Sequence, residues 1–129
     1  MKIGVYRKYR NKKVEYEGLV FDSIKEKKRY CELQLLQRQG VISDLRLQVA
    51  YELLPAIYEE ITIQLKTKTK TQRKLVQRAT TYVADFVYVA DGKTIVEDVK
   101  GSSNFLTPEF KLKMKLMRYM HGIEIKIYE

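Results

Sequence analysis

Tyr82-Val83-Ala84-Asp85-Phe86-Val87-Tyr88-Val89, followed closely by Thr94-Ile95-Val96-Glu97-Asp98-Val99-Lys100-Gly101, decides how this chain is read. Both runs are rich in β-branched and aromatic residues, and Ala90-Asp91-Gly92-Lys93 supplies a Gly-containing loop between them, so together they read as a β-hairpin. Side chains alternate across a strand, which puts Asp98 and Lys100 on one face, roughly 7 Å apart along the chain, and Glu97 on the other. A carboxylate and an ammonium on one face, with Asp85 on the neighbouring strand, is the minimum set that holds a divalent metal and assists attack on a phosphodiester. The same three residues also serve as a solvated ion pair on a sheet surface. The rest of the chain has to decide between the two.

At 129 residues the chain is expected to be one domain, 1–129. With 45% hydrophobic and 32% charged residues it is globular, and no apolar run approaches the length of a membrane span. Met1-Lys2-Ile3-Gly4-Val5-Tyr6-Arg7-Lys8 lacks the apolar core of a signal peptide, so a cytoplasmic location without a membrane partner is expected. A single cysteine, Cys31, excludes an internal disulfide; with a single histidine, His121, it also excludes a thiolate or imidazole zinc site of normal ligand count. His121 sits just before Gly122 at the end of a helix-like run, a structural position. The chemistry is left to carboxylates and lysines.

The formal charge of +9 is unevenly placed. Residues 1–13 carry Lys2, Arg7, Lys8, Arg10, Lys12 and Lys13 without an acid, and residues 61–84 carry Lys66, Lys68, Lys70, Arg73, Lys74 and Arg78 without one either. Two acid-free basic segments around a mildly acidic body point to a polyanion. RNA, DNA and anionic lipid all qualify, lipid least, because no apolar amphipathic face accompanies the charge.

Val14 to Phe21 reads as a short strand or hairpin broken at Gly18. Residues 23–39 read as a helix, with the S-x-x-E spacing of a capping box in Ser23-Ile24-Lys25-Glu26 and Gly40 as its C-cap. Glu26, Tyr30, Leu33 and Gln37 form one stripe and Ile24, Cys31 and Leu35 another, so the helix is expected to be buried on two sides; Glu26 then either caps the Ser23 N–H or faces a cleft. Val41-Ile42-Ser43-Asp44 reads as a turn. Leu45, Leu47, Val49, Tyr51 and Leu53 then mark a strand ended by Pro55, with Gln48 and Glu52 solvated on its polar face. Residues 57–65 form a further strand. Lys66-Thr67-Lys68-Thr69-Lys70-Thr71 has nothing apolar to bury and reads as an extended ribbon or a loop, part of a basic insertion over 61–78; it serves either as a solubilising edge or, as the uncompensated Arg73, Lys74 and Arg78 favour, for contact with phosphates. Thr107 and Pro108 open a second helix, with Phe110, Met114 and Met117 on one stripe; Gly122 stops it, and 123–128 alternate as a last strand. The fold class is therefore α/β (α+β): a mixed central sheet flanked by helices, with a basic β-hairpin or loop inserted.

That element order, with acids at these points, resembles the PD-(D/E)XK nuclease core, whose restriction-endonuclease-like αβββαβ arrangement the chain is expected to share. More closely, it resembles a family of small phage and prophage proteins grouped with those nucleases and related in fold to Holliday-junction resolvases. The matching stretches are Lys8-Tyr9-Arg10-Asn11-Lys12-Lys13, Phe21-Asp22-Ser23 with Glu26 and Tyr30, Gly40 through Gln48, Tyr82 through Tyr88, and Glu97-Asp98-Val99-Lys100-Gly101. The residue before Asp85 is Ala84 rather than proline, and residues 61–78 have no counterpart in the minimal core.

The resemblance implies an active site of Glu26, Asp85, Asp98 and Lys100. Asp85 and Asp98 would hold Mg²⁺ or Mn²⁺ with the Val99 carbonyl and Glu26, directly or through water, and Lys100 would orient water or stabilise charge on the phosphate. It implies a phage- or prophage-encoded DNA endonuclease acting in the host cytoplasm, with branched DNA among its substrates; symmetric cutting of a junction requires a homodimer. The competing expectation is a non-catalytic nucleic-acid-binding protein whose acids are sheet-surface ion pairs.

Overall fold

The computed structural model describes residues 12–129, so Arg7, Lys8 and Arg10, assigned above to nucleic-acid contact, lie outside the described residues. Along the chain come strands β1 (Val14–Tyr16) and β2 (Leu19–Phe21), helix α1 (Ile24–Arg38), strands β3 (Ser43–Leu54), β4 (Ile57–Gln64), β5 (Thr69–Gln77), β6 (Thr80–Ala90) and β7 (Lys93–Val99), helix α2 (Pro108–His121) and strand β8 (Ile125–Tyr128). One sheet has the order β3-β6-β7-β8; β6 and β7 are antiparallel and β7 and β8 parallel, so it is mixed, as expected of a strand–helix–strand ending. Among the described residues, no helix is long and apolar enough to cross a membrane.

The chain divides into two compact units, to both of which β3 and β6 contribute residues. The first comprises residues 12–49, 84–105 and 125–129. Its two hairpins close through two-residue turns, Glu17-Gly18 (φ 51° and 78°) and Asp91-Gly92 (φ 50° and 74°). Left-handed geometry at both positions matches the twist of the flanking strands. Helix α1 starts where Ser23 Oγ accepts the Glu26 N–H at 3.1 Å. It ends at Gln39, with Gly40 (φ 78°) carrying the chain out and the Val41 N–H donating to the Leu36 carbonyl.

Only one side of α1 is buried, through Glu26, Tyr30 and Leu33; Ile24 and Leu35 are 55% and 50% exposed, so the expected second buried stripe is absent. One stripe suffices because the aromatic core lies on that side alone: the Tyr30 ring lies tilted 5.1 Å from Phe21 and stacks 6.4 Å from Phe86, with Leu33, Ile42 and Tyr88 around them. Burying Tyr30 also buries the position one turn earlier, which is Glu26.

The second unit comprises Ala50–Val83 and Leu106–Glu124. Thr107 Oγ1 accepts the Phe110 N–H at 3.1 Å, Pro108 opens α2, and Gly122 (φ 65°) closes it. Phe110 and Met117 are buried on one stripe, as expected, with Phe110 edge-on to Tyr82 at 6.2 Å. His121 is structural: its ring meets Tyr51 at 5.5 Å, and its Nε2 lies 2.7 Å from the Glu52 carbonyl. Strands β4 and β5 pair antiparallel from Ile57↔Gln77 to Gln64↔Thr69, so the basic segment is a ribbon that begins earlier than the expected insertion at 61.

Candidate active site

Helix α1 supplies Glu26, β6 supplies Asp85, and β7 supplies Asp98 with Lys100 just beyond its end, all within the first unit. Phe86 opposes Glu97 in the β6–β7 register, and Asp85 and Asp98 are the next residues beyond that last pair on their two strands. Lys100 Nζ lies 2.9 Å from Asp98 Oδ2, on the shared face that alternation requires. The Val99 N–H donates to Asp85 Oδ2 at 2.9 Å. An extended residue points its N–H and C=O the same way, so the Val99 carbonyl faces Asp85 too. The end of β7 is fixed from both sides: the Lys100 N–H donates to the Tyr128 carbonyl at 2.9 Å, and Lys25 Nζ donates to the Lys100 carbonyl at 3.0 Å.

Glu26 and Asp98 are almost fully buried. Burial, then the Asp98 charge, pushes the Asp85 carboxyl up to about 7 against the lowering effect of the Val99 N–H, with Glu26 adding to the rise. Glu26 is raised as well, by burial first, then by Asp22 and more weakly by Asp98, against a backbone hydrogen bond at Asp22. The carboxyls thus repel one another, with the Lys100 ammonium beside Asp98. An ordinary surface ion pair lowers its acid's pKa; here Asp85 and Glu26 are both raised.

Gln48 was expected to be merely solvated. Instead its Nε2 donates to both Glu26 Oε1 and Asp85 Oδ1, at 3.4 Å each, bridging acids from two elements. It does so from φ 52°, a left-handed conformation in mid-strand that a residue with a Cβ adopts at a cost of about 1 kcal/mol or more. No sequence signal marks it, since a glutamine on the polar side of an alternating strand looks solvated. At an ordinary strand position glycine is less stable than alanine; here the order inverts, with Gln48→Gly expected to be more stable than Gln48→Ala by about 1 kcal/mol in urea unfolding.

On the opposite face of β7, Glu97 is completely buried. Arg29 of α1 donates to it through Nε at 2.7 Å and Nη2 at 2.8 Å, and Tyr88 through its hydroxyl at 2.8 Å. The guanidinium also lies 4.2 Å from the Tyr128 ring and donates to Glu32. Burial and then the Glu97 bond push the Tyr88 hydroxyl up to about 12, while the Glu97 bond raises Arg29 above its ordinary value against burial.

Of the cations assigned to nucleic-acid contact, Lys12 is exposed and Lys13 lies 3.8 Å from Asp22, in the first unit. Lys70, Arg73 and Lys74 lie on β5, Lys66 and Lys68 at the turn of the ribbon, and Arg78 just after β5, all exposed in the second unit.

Residues 6–128 match the family model described as "Protein of unknown function (DUF1064)". The chain belongs to this family. The DUF1064 match takes in both units, including every acid of the cluster and the ribbon. No curated protein and no solved structure matches the chain.

The donors of this DUF1064 site, three carboxyls and a backbone carbonyl, are the hard oxygens that Mg²⁺ or Mn²⁺ takes. Among the described residues, no three His, Cys, Asp or Glu side chains are gathered at metal-ligand spacing. Gln48, Lys100 and the Val99 N–H take up carboxylate oxygens instead. The donor set fits a divalent ion in kind.

Proposed function

We propose that the chain is a Mg²⁺- or Mn²⁺-dependent endonuclease that hydrolyses phosphodiester bonds in DNA. The carrying observation is the convergence of Glu26, Asp85 and Asp98 beside Lys100, with Asp85 pushed up to about 7 by its neighbours. Excess buried negative charge of this kind is neutralised by a bound cation. The order α1-β3-β6-β7-α2-β8, with acids on α1, β6 and β7, supports the likeness to the PD-(D/E)XK nucleases and their small phage relatives.

A divalent ion bound there supplies a Lewis acid for the phosphate and lowers the pKa of the attacking water. Asp85 and Asp98 would hold the ion, with the Val99 carbonyl beside them, and Glu26 would complete the set. Lys100, positioned by Asp98 and by the backbone bond to Tyr128, presents its ammonium to the water or to the charge developing on the phosphate. Lys25 holds the end of β7 through the Lys100 carbonyl, whereas Gln48 would yield its carboxylate oxygens to the ion.

The test is incubation of linear, nicked, single-stranded and four-way-junction DNA with Mg²⁺, Mn²⁺ or EDTA, with Asp85→Ala as control. Metal-dependent cleavage lost in the variant supports the reading. DNA retained without cleavage under any metal supports a non-catalytic DNA-binding protein instead, a reading favoured by the carboxylate oxygens already being engaged by Gln48 and Lys100.

Ion binding and Asp85 ionisation are linked. Below about 7 the Asp85 carboxyl holds a proton that the ion must displace, and above it does not. Apparent Mn²⁺ affinity should therefore rise with pH up to about 7 and then level off, with calorimetry in buffers of different ionisation enthalpy showing proton release at pH 6 and little at pH 8.5. A pH-independent affinity without proton release would remove Asp85 from the ligand set.

A further inference from the structure

The geometry points to the outer half of the β4–β5 ribbon as a sequence-reading arm that lies in the major groove of duplex DNA, with Thr62, Gln64, Thr69 and Thr71 toward the base edges. It rests on the proposed function only in taking DNA as the partner.

In an antiparallel pair, directly opposed residues share a face. Thr62 opposes Thr71 and Gln64 opposes Thr69, so these four side chains form one uncharged polar face, and Thr69 Oγ1 donates to Gln64 Oε1 at 3.4 Å across it. Ile61 opposite Gln72 and Ile63 opposite Lys70 form the other face, on which both isoleucines are half-buried, whereas all four polar residues are exposed. The ribbon therefore has one side that carries its two half-buried isoleucines opposite Gln72 and Lys70, and one uncharged side furnished with hydroxyls and an amide. Hydroxyls, amides and threonine methyls are the groups that read base edges in the major groove.

Charge is graded along the same ribbon. At its base Glu59 opposes Lys74 and Glu60 opposes Arg73, while from Ile61 to Gln72 there are Lys66, Lys68 and Lys70 and no acid. A cationic tip around a neutral reading face complements phosphates flanking a groove. The turn is tight, with the Leu65 N–H donating to the Lys68 carbonyl at 2.8 Å.

A B-form major groove about 12 Å wide admits a two-stranded ribbon. Single strands are gripped by aromatic stacking, and this outer half has no aromatic; the ribbon's Tyr58 lies at the base under Arg73, 4.1 Å away. A-form RNA has a major groove too narrow to enter.

The experiment is selection from a pool of random-sequence duplexes by the full chain in EDTA, where cleavage does not intervene, with salt titrations on bulk duplex. The wild type should enrich a motif. Thr62→Ala/Thr71→Ala, confined to exposed positions, should flatten the enrichment while changing bulk-duplex affinity less than about threefold, because bulk affinity comes from phosphate contacts. Lys66→Ala/Lys68→Ala/Lys70→Ala should weaken every duplex alike and reduce the slope of log affinity against log salt by about 2–3. A wild type that enriches nothing, an enrichment that survives the threonine substitutions, or tighter binding to single strands or RNA than to duplex overturns the inference. Enrichment without cleavage in the Mg²⁺ assay overturns only the nuclease reading, and cleavage without enrichment overturns only this one.

Discussion

Asp98→Asn is expected to lower Mg²⁺-dependent cleavage by about 10³-fold or more, since removing an ion-holding charge forfeits several kcal/mol of transition-state stabilisation. Folding should survive. Asparagine keeps the volume of a nearly buried side chain and an oxygen for Lys100, and loss of the Asp98 charge removes one of the negative charges that push the Asp85 carboxyl up. The same exchange tells the two readings of the acid cluster apart. In a structural ion pair, neutralising Asp98 changes only stability; in an ion site it removes activity while thermal melting stays close to wild type. Lys100→Met should fall by about 10²-fold or more at unchanged DNA affinity, as an ammonium acting on developing charge requires. Supercoiled-plasmid nicking at saturating Mg²⁺ reads both. Either variant within tenfold of wild-type rate, and still folded, would take its residue out of the site.

The pairing of Asp98 with Lys100 was legible because it follows from a period of two and from nothing farther away. The same is true of the hairpin at Asp91-Gly92 and of the Ser23 and Thr107 caps: each is decided by residues within four or five positions. What the sequence did not disclose is long-range or depends on backbone conformation. Arg29 and Glu97 are 68 residues apart, and nothing in either neighbourhood marks them as partners. Gln48 joins the acids through a left-handed backbone that glycine would have signalled and glutamine does not. Ile24 and Leu35 read as a second buried stripe because apolar spacing shows which residues could be covered and not whether anything covers them. In the ribbon, charge was legible while the division into an isoleucine face and a threonine face was not, because it depends on strand register.

Arg29→Met should destabilise the protein by about 3–5 kcal/mol, the range for leaving one member of a buried ion pair without its partner. Glu97 is wholly enclosed, and the guanidinium gives it two short bonds, leaving only the Tyr88 hydroxyl after substitution. Against a total of about 5–15 kcal/mol for a domain, this is a large share, visible as a fall of about 10 °C or more in melting temperature. Glu97→Gln should cost less, because Arg29 retains Glu32 and the Tyr128 ring. The double variant Arg29→Met/Glu97→Leu should recover much of the loss, since replacing both members leaves no buried charge. An additive double variant would mean that the pair is not coupled. Recovery of stability need not bring recovery of activity. Strand β7 presents Glu97 to α1 and Asp98 to the acid cluster, while α1 carries Glu26 three residues before Arg29, so one bidentate bond sets the helix that delivers the first acid against the strand that delivers the last. A leucine–methionine contact restores packing without the fixed direction of that bond. The double variant should therefore melt near wild type and cleave more slowly, with the deficit in kcat rather than in DNA affinity.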